Sequence, residues 1–404
     1  MDTPTPRPPG RARRLTRRLV ALALPALALP VLGPLTLLVF LAGTRPGRLV
    51  GWLAVASFGA IACSVALLWP APRARAWAVA LAACLVAAAG LGIALSRYRA
   101  PHGQGGETGL RSVVLGPAGL MRPGPLGVLP ESDLMNLVAN VLSRLIPGID
   151  PEHARRIRRV VARLGREVED DPAGRSLPPV THLALAELLG RPFDAGHYYA
   201  YVPEHAPGEA LGAIVFLHGN AGNSRVLPWA WRTFADRHRF AIVVPTYGFG
   251  FWGEGGVEAV DRALDDAARR LPIDPARVYL AGLSDGGNGV TRSGRARPDR
   301  YRGLIYISPT MRPDELGSPE FLRGWQGRPV LVLQGDRDAN VRKADVDPAV
   351  DLLRASGVDV SYRVFPGEDH FLFFGRPDAV FASIAAWMMH PANTARRAPG
   401  AAVE

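Results

Sequence analysis

Three long uncharged runs open the chain, at residues 19–43, 49–69 and 76–96. Each reaches the roughly 20 residues that a helix needs to cross a hydrocarbon core. The breaks between them carry Arg-Pro-Gly-Arg and Pro-Arg-Ala-Arg, which suit tight interfacial turns. The pattern predicts three transmembrane helices, the first kinked by Pro25, Pro30 and Pro34. Residues 100–130 then become rich in Gly and Pro with no sustained period, as in a linker. Ser132 can cap a helix whose Leu134, Leu137, Val138, Val141 and Leu142 repeat at helical spacing. A second helix is predicted from Pro151, with Ala154, Ile157, Val161, Leu164 and Val168 as one stripe and six arginines over much of the rest. That pattern fits a solvated basic face on a helix packed against the following domain, or a helix resting on anionic lipid.

From about residue 195 the period changes. Short β-rich runs occur at 197–202, 213–217, 241–245, 278–281, 304–307, 330–333 and 358–365, most of them separated by helix-like stretches. Alternation of this kind predicts a mostly parallel sheet with helices on both faces. Chemistry in such sheets gathers at the loops leaving the carboxyl ends of the strands.

Charge changes the picture in one respect. The 404 residues carry a net charge of +11, which alone would suggest a nucleic-acid partner. Residues 1–100, however, hold twelve arginines and one acid, Asp2, so the rest of the chain is neutral. The excess therefore speaks of membrane topology, and no nucleic acid is expected. Six arginines precede the first run, and Arg73 and Arg75 join the second to the third, against Arg45, Arg48, Arg97 and Arg99 at the alternate ends. This bias predicts a cytoplasmic N-terminus and, after three crossings, an extracytoplasmic remainder, as in a multi-pass protein of a bacterial inner membrane. The runs contain no ionisable residue, so a transport pathway is not expected. Both cysteines, Cys63 and Cys84, lie inside apolar runs, which leaves no thiol for a zinc site downstream. Neither a metal nor an organic cofactor is expected.

The candidate chemistry is concentrated in four loops. Residues 278–281 lead into Gly282-Leu283-Ser284-Asp285-Gly286-Gly287, a Gly-x-Ser-x-Gly sequence between a buried strand and a helix. Its glycines permit a sharp elbow that holds a serine hydroxyl above the sheet. A serine needs a histidine to take its proton, and the histidine needs a carboxylate to hold its tautomer. Only His370 and His390 follow Ser284, and His390 sits in a tail-like end, so His370 is the candidate base. The run at 330–333 ends in Gln334-Gly335-Asp336-Arg337-Asp338; a Gly-x-x-Asp turn favours Asp338 as the acid and leaves Asp336 as a turn residue. The run at 213–217 enters His218-Gly219-Asn220-Ala221-Gly222-Asn223, where main-chain amides can converge. The main-chain N–H groups of Asn220 and Asp285 are the candidate oxyanion donors, with His218 as a support for its loop. Gly248-Phe249-Gly250-Phe251-Trp252-Gly253 matches a dinucleotide fingerprint, but Phe and Trp at its variable positions would crowd a pyrophosphate. Tyr247, Phe249, Phe251 and Trp252 read instead as one aromatic wall of a pocket, with Phe371 on the other side.

These four motifs, in this order and spacing, resemble those of α/β-hydrolase serine esterases, most of all the branch that includes dienelactone hydrolases, polyhydroxybutyrate depolymerases and prolyl-oligopeptidase-like esterases. The resemblance covers about residues 190–390, and it implies an α/β-hydrolase fold cleaving carboxylic esters through an acyl-serine. The three-span anchor and Asp285 depart from the common pattern. The expected organisation is a membrane anchor at 1–100, a linker and helical region at 101–190, a catalytic domain at 191–390 and a tail at 391–404. A small-molecule or lipid-like ester and the lipid bilayer are the expected partners. An acyltransferase acting on an envelope lipid or sugar, a serine peptidase, or a silent docking protein would share the same residues, and oligomeric state is left open.

Overall fold

The computed structural model of the chain describes residues 11–68, 73–96, 104–115, 133, 136, 137, 140, 151–177, 196–220, 223–248 and 250–394. The chain divides into two compact units, one formed by residues 1–99 and 128–137, the other by residues 100–127 and 138–404.

The first unit is built of apolar helices, Arg11–Thr36, Leu38–Leu41, Arg45–Ala66 and Ala74–Ser96. At 22 and 23 residues, the last two are long and apolar enough to cross a membrane, since at 1.5 Å per residue each exceeds a core about 30 Å thick. The first apolar run is not straight. Leu19–Pro30 and Leu32–Leu41 meet at 60°, so the candidate crossings number two, or three if the bent pair is one span. The prolines explain the bend, because each removes a helical hydrogen bond and presses on the preceding turn. Large apolar side chains point outwards here, Phe40 at 86% exposure and Leu27 at 77% among them. The acid Asp133 is buried, and its carboxylate accepts from the Gly43 amide at 2.7 Å and from the Thr44 hydroxyl. Thr44 in turn caps the helix Arg45–Ala66 by accepting from the Gly47 amide. Of the helix expected after Ser132, positions 132, 134, 138, 141 and 142 lie outside the described residues.

The second unit is an eight-stranded sheet: β1 (Gly109–Val114), β2 (His197–Val202), β3 (Leu211–Leu217), β4 (Phe240–Pro245), β5 (Ile273–Leu283), β6 (Gly303–Ile307), β7 (Pro329–Gly335) and β8 (Asp359–Phe365). Its order is β1-β2-β4-β3-β5-β6-β7-β8. The β1–β2 and β2–β4 pairs are antiparallel and the rest parallel. This is the mostly parallel, helix-covered α/β-hydrolase arrangement that the strand runs predicted. Seven strands fall where the β-rich runs lie. The eighth corrects the expected linker: Gly109–Val114 is an edge strand of the same sheet, in register with β2 from Gly109 opposite Val202 to Val114 opposite His197.

Central strands are buried on both sides, as parallel strands under two helical layers must be. In β3 alternate residues serve different cores. Ile214 and Phe216 join Trp231, Phe234, Ile384 and Trp387, while Ala213, Val215 and Leu217 join Val260, Leu264, Val290 and Trp252. At about 1.5–3 kcal/mol for each fully buried Val, Leu, Ile or Phe side chain, these layers hold the sheet flat enough to align its loops. The helix Pro151–Asp170 buries the predicted stripe Ala154, Ile157, Val161, Leu164 and Val168 within the same unit. The packed alternative for that helix is therefore the one observed.

Candidate active site

Ser284 follows β5 directly and precedes the helix Gly286–Ala296. Its φ is +55°, a left-handed conformation that costs a serine energy and persists only when its surroundings enforce it. Two main-chain bonds enforce it. The Ser284 amide donates to the Ile307 carbonyl at 3.0 Å, and the Ser284 carbonyl accepts from the Thr310 amide at 2.9 Å. The turn also needs its glycines, since a Cβ on Gly282 would come within 2.6 Å of the Gly286 carbonyl carbon.

His370 lies in the loop after β8, with its Nε2 3.0 Å from Ser284 Oγ. Its Nδ1 is 2.9 Å from Asp338 Oδ2, in the loop after β7. Asp338 is buried, and its Oδ1 accepts from the Asn340 and Val341 amides at 2.9 and 2.8 Å. An acceptor-only carboxylate facing Nδ1 selects the Nδ1–H tautomer, which leaves Nε2 free to accept the serine proton. Asp336 has the other role foreseen for it: its Oδ1 accepts from the Gly367 amide at 2.7 Å and closes the turn. The structure thus brings Ser284, His370 and Asp338 together and holds Asp336 apart from the histidine.

Asn220 and Asp285 occupy the ends of the two loops that flank the serine, after β3 and at the start of the helix Gly286–Ala296. The Asp285 carboxylate is turned to a structural partner, accepting from the Thr310 hydroxyl at 2.7 Å. His218 is fully buried; its Nδ1–H donates to the Gly219 carbonyl at 2.9 Å and its Nε2 accepts from the Tyr247 amide at 3.2 Å. Burial pushes His218 down to about 4, so it stays neutral.

The aromatic wall is corrected in part. Trp252 is 1% exposed and belongs to the core, its indole N–H donating to the His218 carbonyl at 2.8 Å. Tyr247 stacks on Trp252 with centroids 5.3 Å apart and donates its hydroxyl to the Glu254 carbonyl, so it braces the loop. Phe251 is exposed, and Phe371 is half-buried with its ring 6.0 Å from that of His370. Phe249 lies outside the described residues, as do Ala221 and Gly222 of the loop after β3.

Sequence reasoning missed two supports. Gln334, the buried end of β7, donates to Asp338 Oδ2 at 3.3 Å and to the Val341 carbonyl at 2.8 Å, which fixes the acid from behind. Behind the loop after β3 runs a buried chain of hydrogen bonds. The Asn223 amide group donates to Thr246 Oγ1 at 2.8 Å, Thr246 meets His197 Nδ1 at 2.8 Å, and His197 Nε2 meets Ser112 Oγ at 2.9 Å. Burial lowers His197 to about 3, which keeps that chain uncharged. A polar residue at an inward-facing strand position is the only signal that could have pointed to either.

Against known proteins, no family model matches the chain. It is 26% identical over 126 residues to poly(3-hydroxyalkanoate) depolymerase C of Paucimonas lemoignei, a match spanning 27% of this chain and 30% of that one. Similar solved structures include FphF, a fluorophosphonate-binding serine hydrolase of Staphylococcus aureus, at 14% identity and a TM-score of 0.41, covering 48% of this chain and 92% of that one. A Pyrobaculum calidifontis esterase is similar at 19% identity and a TM-score of 0.39, covering 48% and 80%.

Proposed function

We propose that this protein is a membrane-anchored serine hydrolase that cleaves carboxylic esters through an acyl-serine intermediate, with Ser284 as nucleophile, His370 as general base and Asp338 as its orienting acid. The observation that carries the reading is the continuous relay from Asp338 through His370 to a serine held at positive φ. As Ser284 Oγ attacks the ester carbonyl, its proton passes to His370 Nε2. The carbonyl electron pair moves onto oxygen, where the main-chain N–H groups of Asn220 and Asp285 receive it. One such donor contributes about 3 kcal/mol to the transition state. Collapse breaks the ester C–O bond, and His370 returns the proton to the departing alcohol. Water then attacks the acyl-serine with His370 again as base, releasing the acid and regenerating Ser284.

Phe371 and the exposed Phe251 supply apolar surface for the acyl or alcohol part. The likeness to a hydroxyalkanoate depolymerase supports including 3-hydroxybutyrate oligomers among trial substrates. The test is hydrolysis of p-nitrophenyl esters from acetyl to palmitoyl, and of those oligomers, by the full chain in detergent, together with fluorophosphonate labelling. Both should vanish in Ser284→Ala; turnover that survives the substitution would remove the serine from the mechanism.

The arginine distribution supports a cytoplasmic N-terminus and an extracytoplasmic second unit, provided the bent first segment crosses. Alkaline phosphatase fused after residues 46 and 110 should be active at both sites. Activity of a cytoplasmic reporter at both would place the hydrolase unit inside.

A further inference from the structure

We propose that the helix Pro151–Asp170 positions the general base through a buried ionic cluster centred on Glu368, an inference that rests on the serine-hydrolase reading above. Glu368 and Asp369 stand immediately before His370, with only 6% and 5% of their side-chain surfaces exposed. Two adjacent buried carboxylates are costly unless cations or donors meet them. Arg376 donates to Glu368 Oε1 at 3.0 Å, and Arg156 lies 3.9 Å from the same oxygen. His153 Nε2 is 3.2 Å from Glu368 Oε2, while its Nδ1 is 3.8 Å from Asp369 Oδ2.

His153 and Arg156 are one turn apart and so share a helix face. Arg156 also donates to the main-chain carbonyl of Gly375. The helix therefore grips the His370 loop on both sides of the histidine, at Glu368 and at Gly375. Glu368 adds a third tie through its own carbonyl, which accepts from the Arg337 amide at 3.0 Å, between Asp336 and Asp338. One residue joins the helix, the loop of the base and the loop of the acid. If Glu368 shifts, His370 shifts against both Asp338 and Ser284, and a displacement of about 1 Å at a reacting group lowers rate by about a hundredfold.

Glu368 touches no reacting atom, so the signature is a fall in kcat with KM held. In the full chain, Glu368→Ala should lower kcat about a hundredfold while KM stays within about twofold. Glu368→Gln keeps an acceptor for Arg376 and a partner for His153, and should recover to within about tenfold of the parent, the scale of one hydrogen bond. His153→Ala, at a partly exposed position, should show the same split with a loss of about tenfold. Arg155→Gln, exposed on the same helix, should leave kcat unchanged. Ser284→Ala in the same assay separates the two readings: its activity would defeat the serine-hydrolase mechanism itself. An inactive Ser284→Ala beside full kcat in Glu368→Ala and His153→Ala, or a rise in KM with kcat constant, would overturn the positioning role. If Glu368→Ala does not fold, as judged by thermal melting, His153→Ala decides alone.

Discussion

Two loops leave the carboxyl ends of parallel strands with a histidine near the start or middle, His218 after β3 and His370 after β8, and both rings are buried. Exposure hardly separates them, at 0% and 8%. Their partners do. Both nitrogens of His218 are committed to main-chain groups, the Gly219 carbonyl and the Tyr247 amide, which cannot change protonation. Those of His370 face a carboxylate and a hydroxyl, which can. A histidine becomes a proton carrier through ionisable neighbours on both sides, and the same ring between two peptide groups is a bracket.

The contrast can be broken most directly at His370. His370→Ala should lower ester turnover by about a millionfold, as loss of a triad base does, with the circular dichroism spectrum retained; turnover within tenfold of the parent would make His370 another bracket. Next in size is the acid. Asp338→Asn should cost about 10⁴-fold in kcat by presenting the wrong partner to Nδ1, whereas Asp336→Asn should cost about tenfold at most, the scale of one turn hydrogen bond. Steady-state kinetics of the pair would reassign the acid if the ranking reversed.

Stability against pH sharpens the other side. His218 and His197 titrate near about 4 and about 3 in the folded chain, pushed down by burial, against about 6.5 when unfolded. The unfolded state therefore binds more protons as pH falls below about 6.5, and the folded state is progressively disfavoured down to the folded values. At pH 5 the loss is about 2 kcal/mol for each histidine, read as a falling thermal midpoint between pH 7 and pH 5. The smallest effect is His218→Leu at pH 7, about 1–3 kcal/mol from leaving a buried amide and carbonyl without partners. It should also remove its share of the acid-side loss; a variant with the parent's pH dependence would show that His218 is not the titrating group.

Much of this arrangement is legible in the sequence because the fold writes it locally. Seven strands announce themselves as short β-rich runs, and Ser284, Asp338 and His370 each stand just past one, so order along the chain brings them to one edge of the sheet. What escapes is set by distant partners. Gly109–Val114 has glycine at its start and no neighbouring strand in sequence; only pairing with β2, more than eighty residues on, makes it a strand. Trp252 in a Gly-rich aromatic loop reads the same whether it faces solvent or core, and its positive φ, which turns it inward, has no signature in a non-glycine residue. Glu368 looks like any polar turn residue. Its burial depends on a helix over two hundred residues earlier.

The antiparallel β1 sets a limit on how far the chain can be shortened. Residues 191–390 contain every candidate active-site group, yet a fragment starting at 191 would uncover the whole length of β2 as a raw edge, with amides and carbonyls from His197 to Val202 seeking a partner. Such an edge recruits strands from other molecules. It would also strip Ser112 from His197 and leave a buried imidazole nitrogen unmet. The stretch that reads as a tether thus serves as the selvedge of the sheet, keeping the weave from ravelling into its neighbours.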